Sequence, residues 1–246
     1  MDSRRVRLGI EYDGTDFYGW QTQPDARTVQ GEIESVMMNL CGRRIPVIGS
    51  GRTDRGVHAL GQVAHADIAA SELERVREGL PSLLPDDVAV TSVKETDGSF
   101  HARFDAVSRL YRYRIEKERH PLRCRYCHVL SEAGTLDSKA MIQGARLSKG
   151  RNDWRAMAKE GSSSGDWMVD VLDASVEEDE SGWTFLILAN RFLRGMVRLW
   201  AGTLVRIGAG SAEPELVTSL LMTGDRTDAG MSLPGKGLTL MEVKYN

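Results

Sequence analysis

Few cysteines, no long apolar run and almost no net charge mark this 246-residue chain. Three cysteines, an odd number in a chain long enough to bury a real core, exclude a disulfide framework and suit a reducing compartment. No window approaches the roughly 18 uninterrupted apolar residues of a membrane-spanning helix. Met1-Asp2-Ser3-Arg4-Arg5 leads directly into an alternating segment without an apolar signal region, which predicts a cytoplasmic protein with no membrane partner. With 41% hydrophobic residues the composition is that of a folded globular protein.

Lys plus Arg (32) nearly balances Asp plus Glu (35), so the net charge of -3 does not announce a nucleic-acid binder. The distribution is more informative. Residues 101–125 hold eight Arg or Lys against three acids, and 191–206 add four arginines and no acid. Residues 166–182 instead carry seven acids and no base. Any one such run reads as a solvated face; two basic runs brought together by a fold would make a surface for a polyanion.

Periodicity gives a coarse layout. Val6, Leu8, Ile10 and Tyr12 alternate as a half-buried strand, and Val29, Ile33, Val36, Met37 and Leu40 share one helix face behind Thr28 as N-cap. Ser71 and Glu74 form a capping-box pattern ahead of a second helix, and strands are expected over 62–67 and near Val88–Val93. Beyond these, strands are predicted at 107–116, 184–189 and 238–244, and helices at 137–148, 192–207 and 214–222, with Asp137 and Pro214 at starts and Gly150 and Gly224 at stops. The stretch 159–182, with Ser162-Ser163-Ser164-Gly165 and its acids, reads as an exposed loop feeding a strand. The result is an α+β protein of two units, 1–104 and 105–246, both of split β-α-β type.

Chemistry concentrates in Gly51-Arg52-Thr53-Asp54-Arg55-Gly56-Val57-His58-Ala59. Two glycines permit tight turns and project a carboxylate between two guanidinium groups. A carboxylate nucleophile must be ionised, and adjacent arginines favour that form. An Asp-x-Gly surface turn fits the same residues. His58 reads as backbone support for the loop rather than as an acid or base. Tyr111 lies on the same strand side as Val107, Tyr113 and Ile115, where a core role and a functional one both remain open. Arg194 and Arg198 share a helix face opposite a stripe through Leu193, Val197, Trp200 and Leu204; that face is either solvated or, at Arg198, turned towards a carboxylate such as Asp54.

Cys124-Arg125-Tyr126-Cys127-His128 has the pattern of c-type haem attachment, and a bare Cys-x-x-Cys also fits zinc or redox chemistry. Haem attachment belongs with an export signal, and a zinc site needs four ligands, which His120 and His128 or a distant Cys41 would have to complete. Gly208-Ala209-Gly210 is only a fragment of a dinucleotide fingerprint and follows a helix.

Several separated blocks occur in one order: Tyr12-Asp13-Gly14-Thr15 with Phe17-Tyr18-Gly19-Trp20-Gln21, Gly51 to Ala59, Phe100-His101-Ala102-Arg103-Phe104, Tyr111-Arg112-Tyr113-Arg114, and Phe192-Leu193-Arg194-Gly195-Met196-Val197-Arg198. Together they resemble the tRNA pseudouridine synthase A family. The resemblance implies two ferredoxin-like, RNA-recognition-like halves whose antiparallel sheets meet at a central active-site cleft. It implies conversion of uridine to pseudouridine in the tRNA anticodon stem-loop, at tRNA positions 38–40, by a homodimer with tRNA lying across both subunits. It assigns Asp54 as nucleophile, Arg52 to base flipping, Tyr111 to stacking on the flipped uracil, and Arg198 as the basic partner of the aspartate.

A uridine inside folded RNA cannot offer C1′ and C5 to a side chain, so such an enzyme extrudes it. Isomerisation has no net redox change, and the resemblance implies neither cofactor nor metal. Arg55, Arg109, Arg112, Arg114, Arg191 and Arg194 are the candidate phosphate contacts. A non-catalytic RNA-binding module or RNA chaperone on the same scaffold is the alternative. The chain departs from the family around Asn152–Met157, where an aromatic-rich block and a Thr-x-Arg element are expected, and at Gly195, which inside a helix would cost about 1 kcal/mol relative to Ala.

Overall fold

The computed structural model describes residues 2–130, 136–159 and 165–246; Ser162–Ser164 lie outside the described residues. The chain divides into two compact units, Met1–Val107 with Leu240–Asn246, and Ser108–Thr239. Both mix helices with mainly antiparallel strands, as an α+β sequence requires. Among the described residues no helix is long and apolar enough to cross a membrane.

In the first unit, β1 (Ser3–Tyr12), α1 (Val29–Cys41), β2 (Ile48–Gly49), β3 (His58–Ala69), α2 (Leu73–Leu83) and β4 (Val88–Thr96) follow one another. β1 runs antiparallel to β4 on one side and β3 on the other, and β2 pairs with β3. The alternation in β1 does what it predicts: Val6, Leu8, Ile10 and Tyr12 are buried. Thr28 caps α1 by accepting the Gly31 N–H, and the helix turns Val29, Ile33, Val36 and Met37 inward. β3 is longer than the sequence predicts and starts at His58, so the Arg-Thr-Asp-Arg loop feeds directly into a largely buried strand.

The start of α2 differs from expectation. A 3-10 turn, Ala70–Glu72, precedes the helix, and it is Glu72 whose carboxylate accepts the Ala69 N–H (2.7 Å) and the Arg43 guanidinium (2.9 Å). Glu74 lies two residues too late for that role and pairs with Arg77 instead.

The second unit contains most of β5 (Ala106–Glu116), then β6 (His128–Val129), α3 (Ser138–Arg146), β7 (Gly150–Asp153), β8 (Met168–Asp179), β9 (Gly182–Ala189), α4 (Met196–Gly208) and α5 (Leu216–Thr223). The strand order is β5-β9-β8-β7, antiparallel throughout, with β6 parallel to β5. α3 packs on β8 and α4, and Asp137 caps it through the Lys139 and Ala140 N–H groups. β10 (Leu238–Tyr245) closes the chain; from Leu240 on it belongs to the first unit, as the neighbour of β3.

Four expectations for the second half of the chain are corrected. Residues 168–179 are a full strand rather than a loop. Val169 and Val171, then Ala174 and Val176, face inward, but a register shift between Val171 and Asp173 breaks the alternation. Four of the seven acids of the run are ion-paired: Asp179 with Arg114, Glu178 with Lys117, Asp173 with Lys149 and Asp166 with Arg191. α4 begins at Met196, and Gly195 stands before it with φ 72°, a left-handed conformation glycine adopts without penalty. Its presence is a backbone requirement, not a loss of helix propensity. Nor does α4 offer a solvated face opposite an apolar stripe, because Met196, Val197, Leu199 to Leu204, Ile207 and Gly208 are all buried. Val107, expected on the core side of β5, is exposed.

Candidate active site

The loop 50–58 is held by a set of hydrogen bonds, several of them buried. Ser50 N–H donates to the Val63 carbonyl (2.7 Å) and its hydroxyl to Gln62 Oε1 (2.6 Å), while Gln62 Nε2 donates to the Gly51 carbonyl (3.1 Å). Thr53, also buried, exchanges a hydrogen bond with the Tyr12 hydroxyl (2.9 Å) and accepts the Trp20 N–H at its carbonyl (3.1 Å). Val57 N–H returns to the Asp54 carbonyl (3.2 Å), closing a β-turn whose third residue, Gly56, has φ 73°. His58 Nδ1 accepts the Gly14 N–H (3.0 Å), so His58 supports the backbone as expected.

These bonds explain why the two sequence blocks travel together. The Phe17–Trp20 segment lies against the loop, with Gly56 N–H donating to the Phe17 carbonyl (3.3 Å). At Gly19, φ is 96° and an added Cβ would stand 2.5 Å from the Thr53 carbonyl oxygen, so only glycine permits the approach. Asp54 is left half-buried on a fixed backbone, with Arg52 and Arg55 exposed on either side. Among the described residues Arg52 makes no ion pair, and Arg55 lies over the ring of Tyr18 at 4.2 Å. Tyr18 is part of a block read from the sequence, but nothing in the sequence shows that Phe17 and Trp20 turn inward while it stays outside.

In the second unit, Tyr111 is buried on β5 opposite Ile187, and its ring meets Phe192 edge-on at 4.9 Å. Tyr113 is a core residue, as expected: its hydroxyl donates to the Pro234 carbonyl (2.8 Å), and burial pushes its pKa well above the usual tyrosine value. Arg198 is half-buried in the first turn of α4. Its Nε donates to the Leu233 carbonyl (2.5 Å), while its own carbonyl accepts the Leu233 N–H (3.2 Å). The segment before Leu233 packs main chain against α4, with the Gly230 N–H on Thr203 Oγ1 (3.0 Å). This strap across Arg198 has no signal in the sequence.

The other arginines differ in how committed they are. Arg114 is bidentate to Asp179 (2.8 and 2.9 Å) and also reaches Thr184 and Ser181, which holds the Asp179 carboxyl well below the usual carboxylate range. Arg191 pairs with Asp166 (2.6 Å). Arg109 donates to the Asn190 carbonyl (2.8 Å), Arg112 is half-buried with an Nε that has no hydrogen-bond partner among the described residues, and Arg194 is exposed.

In the Cys124–His128 segment, both thiols point at local carbonyls, Cys124 at Pro121 and Cys127 at Arg123. Burial pushes the Cys127 thiol up to about 11. Among the described residues no three His, Cys, Asp or Glu side chains are grouped to share a metal ion.

A model of the tRNA pseudouridine synthase family matches residues 9–105 and 145–246, which include the Asp54 loop and Arg198 and leave Tyr111 and the two cysteines of the 124–127 pair outside. The chain is 40% identical over 245 residues to the tRNA pseudouridine synthase A of Syntrophotalea carbinolica, covering 98% of this chain and 96% of that protein. It is 40% identical over 245 residues to the Brevibacillus brevis protein of the same name, covering 98% and 100%. To that of Solidesulfovibrio magneticus it is 42% identical over 256 residues, covering 98% and 91%. The chain therefore belongs to the tRNA pseudouridine synthase family, a family of isomerases. Its relatives just described all carry the name tRNA pseudouridine synthase A.

Proposed function

We propose that the protein converts uridine to pseudouridine in the anticodon stem-loop of tRNA, at tRNA positions 38–40, with Asp54 as nucleophile. The observation that carries this is the half-buried carboxylate of Asp54 on a hydrogen-bonded loop, between two exposed arginines, in a chain related along 98% of its length to tRNA pseudouridine synthase A proteins. Asp54 attacks C1′ of the extruded uridine as the C1′–N1 bond breaks. The detached uracil turns over, C5 bonds to C1′, the aspartyl ester breaks, and the proton on C5 departs while N1 takes one up. No electron is gained or lost, so the reaction needs no redox partner.

Arg52 fills the place the uridine vacates. Tyr111 stacks on the uracil and assists removal of the C5 proton, and Arg198 is the basic partner of Asp54. Both units are taken as ferredoxin-like halves; the order β4-β1-β3 around two helices in the first unit supports this. Arg109, Arg112 and Arg194 contact phosphates, positioning the RNA by shape rather than sequence, and Arg55 meets the RNA beside Asp54. Arg114 and Arg191 join them only by exchanging Asp179 and Asp166 for a phosphate. The working form is a homodimer with one tRNA across both subunits.

Tritium release from tRNA transcripts labelled with [5-³H]uridine tests the proposal, because forming the bond at C5 expels that hydrogen. Release by wild type and none by Asp54→Asn, with tRNA binding retained, is the expected result. No release by wild type on several tRNAs that it binds would refute it.

A further inference from the structure

Arg4, Arg5, Arg27, Arg43 and Arg77 of the first unit each hold a carboxylate. Arg55 does not: its partner among the described residues is the Tyr18 ring, 4.2 Å from the guanidinium carbon. Tyr18 is 49% exposed, whereas its neighbours Phe17 and Trp20 are 1% and 2% exposed. Its hydroxyl has no hydrogen-bond partner among the described residues, so its ring is what it presents.

The pair is tied to Asp54 from both directions. Arg55 follows Asp54 in the turn closed by Val57. Tyr18 sits between two backbone links to the same loop, Phe17 carbonyl to Gly56 N–H and Trp20 N–H to Thr53 carbonyl. Tyr18 N–H donates to the Arg27 carbonyl (2.9 Å), and Gln23 Nε2 donates to the Tyr18 carbonyl (3.2 Å), so the main chain beneath the ring is fixed as well. A flat cation backed by an aromatic ring, exposed and held in register with a nucleophile, is suited to a nucleobase, since a guanidinium stacks on bases through its plane.

We propose that Tyr18 and Arg55 form a stacking platform for the nucleobase next to the uridine that Asp54 attacks, an assignment that rests on the function proposed above. Extruding a uridine strips one face of its neighbour, and the outer face of the Arg55 guanidinium, supported by the Tyr18 ring, covers it. Because every base has a π face, the platform accepts any flanking nucleotide.

The test uses single-turnover tritium release, together with fluorescence anisotropy of a labelled anticodon stem-loop RNA. Arg55→Ala and Tyr18→Ala should each lower the single-turnover rate divided by the dissociation constant by about tenfold, the size expected for one lost base stack. Arg55→Lys should lose nearly as much, because it keeps the charge but not the plane, and Tyr18→Phe should lose less than Tyr18→Ala. An abasic nucleotide on one side of the target should cost wild type a similar factor and cost Arg55→Ala nothing more. Arg77→Ala, an exposed arginine on α2, is the control.

Arg55→Ala within about twofold of wild type, full activity of Arg55→Lys, or abasic effects that add to Arg55→Ala on both sides of the target would each overturn the platform. Asp54→Asn in parallel keeps the two proposals apart. Wild-type release with a silent Asp54→Asn upholds the isomerase whatever the platform variants do. Anisotropy of Asp54→Asn with and without Arg55→Ala reads the platform even if no tritium is released: a tenfold weakening supports it and equal binding refutes it.

Discussion

Replacing Gly19 with alanine should damage the site through its main chain, while leaving the side chains of Arg52, Asp54 and Arg55 unchanged. The new Cβ would stand 2.5 Å from the Thr53 carbonyl oxygen, so the two segments must separate by nearly an ångström to reach an ordinary contact of 3.4 Å. The residue must also keep φ near 96°, which costs a side-chain-bearing residue about 1 kcal/mol. Overpacking adds about 1–3 kcal/mol, for a total of about 2–4 kcal/mol. At roughly 4 °C per kcal/mol, thermal unfolding followed by circular dichroism should move down by about 8–16 °C. Since the Trp20–Thr53 bond fixes the residue before Asp54, single-turnover pseudouridine formation should fall about 100-fold in the molecules that remain folded, as expected for a catalytic group displaced by about 1 Å. Gly98→Ala, where nothing lies within 4 Å of the new Cβ, is the control. A Gly19→Ala protein that melts within about 2 °C of wild type and turns over at the full rate would refute the reasoning.

Three further outcomes are expected. His65, whose Nδ1 accepts the Ala102 N–H, is pushed from 6.5 down to about 4 by burial and by the nearby Arg5, so stability is complete above the unfolded value and declines as pH falls from 6.5 towards 4. Guanidinium unfolding at about pH 7.5 and about pH 4.5 should show His65→Asn losing less than wild type over that interval, by on the order of 2 kcal/mol, and equal losses would count against it. Cys127, buried and with a thiol pushed up to about 11, should resist iodoacetamide in the native protein and react on unfolding; native labelling as fast as that of half-buried Cys124 would contradict this. Gly202→Ala places a Cβ 1.9 Å from the Met231 carbonyl oxygen and should lift the strap from α4, costing about 2–3 kcal/mol and removing the acceptor of Arg198 Nε. An unfolding midpoint equal to wild type would show that the strap does not bear on α4.

Where local chemistry decides the structure, the sequence is legible. Thr28 and Asp137 sit at helix starts because their oxygens satisfy orphan N–H groups, and β1 shows its alternation because β4 and β3 pair with it along most of its length. β8 is hidden because its bulge shifts the parity of inward residues, and seven acids in 166–182 look solvated until Arg114, Lys117 and Lys149 arrive from elsewhere in the chain. Glu74 fits the capping pattern as well as Glu72 does, and only the 3-10 turn separates them. Of the site, Asp54 with its two arginines can be read from the string, since the glycines that shape their loop are adjacent. The Tyr12–Thr53 bond, the Tyr18–Arg55 stack and the strap on Arg198 join residues more than 30 positions apart, and no local pattern encodes them.

The first unit is discontinuous: its final strand, β10, is delivered only after all of Ser108–Thr239 has been made. During synthesis β3, the strand into which the Asp54 loop feeds, therefore waits without its β10 neighbour while more than half the chain emerges from the ribosome. Exposed strand edges of that kind invite pairing with other chains. The strand into which the Asp54 loop feeds therefore gains β10 as its neighbour only once Ser108–Thr239 has been made.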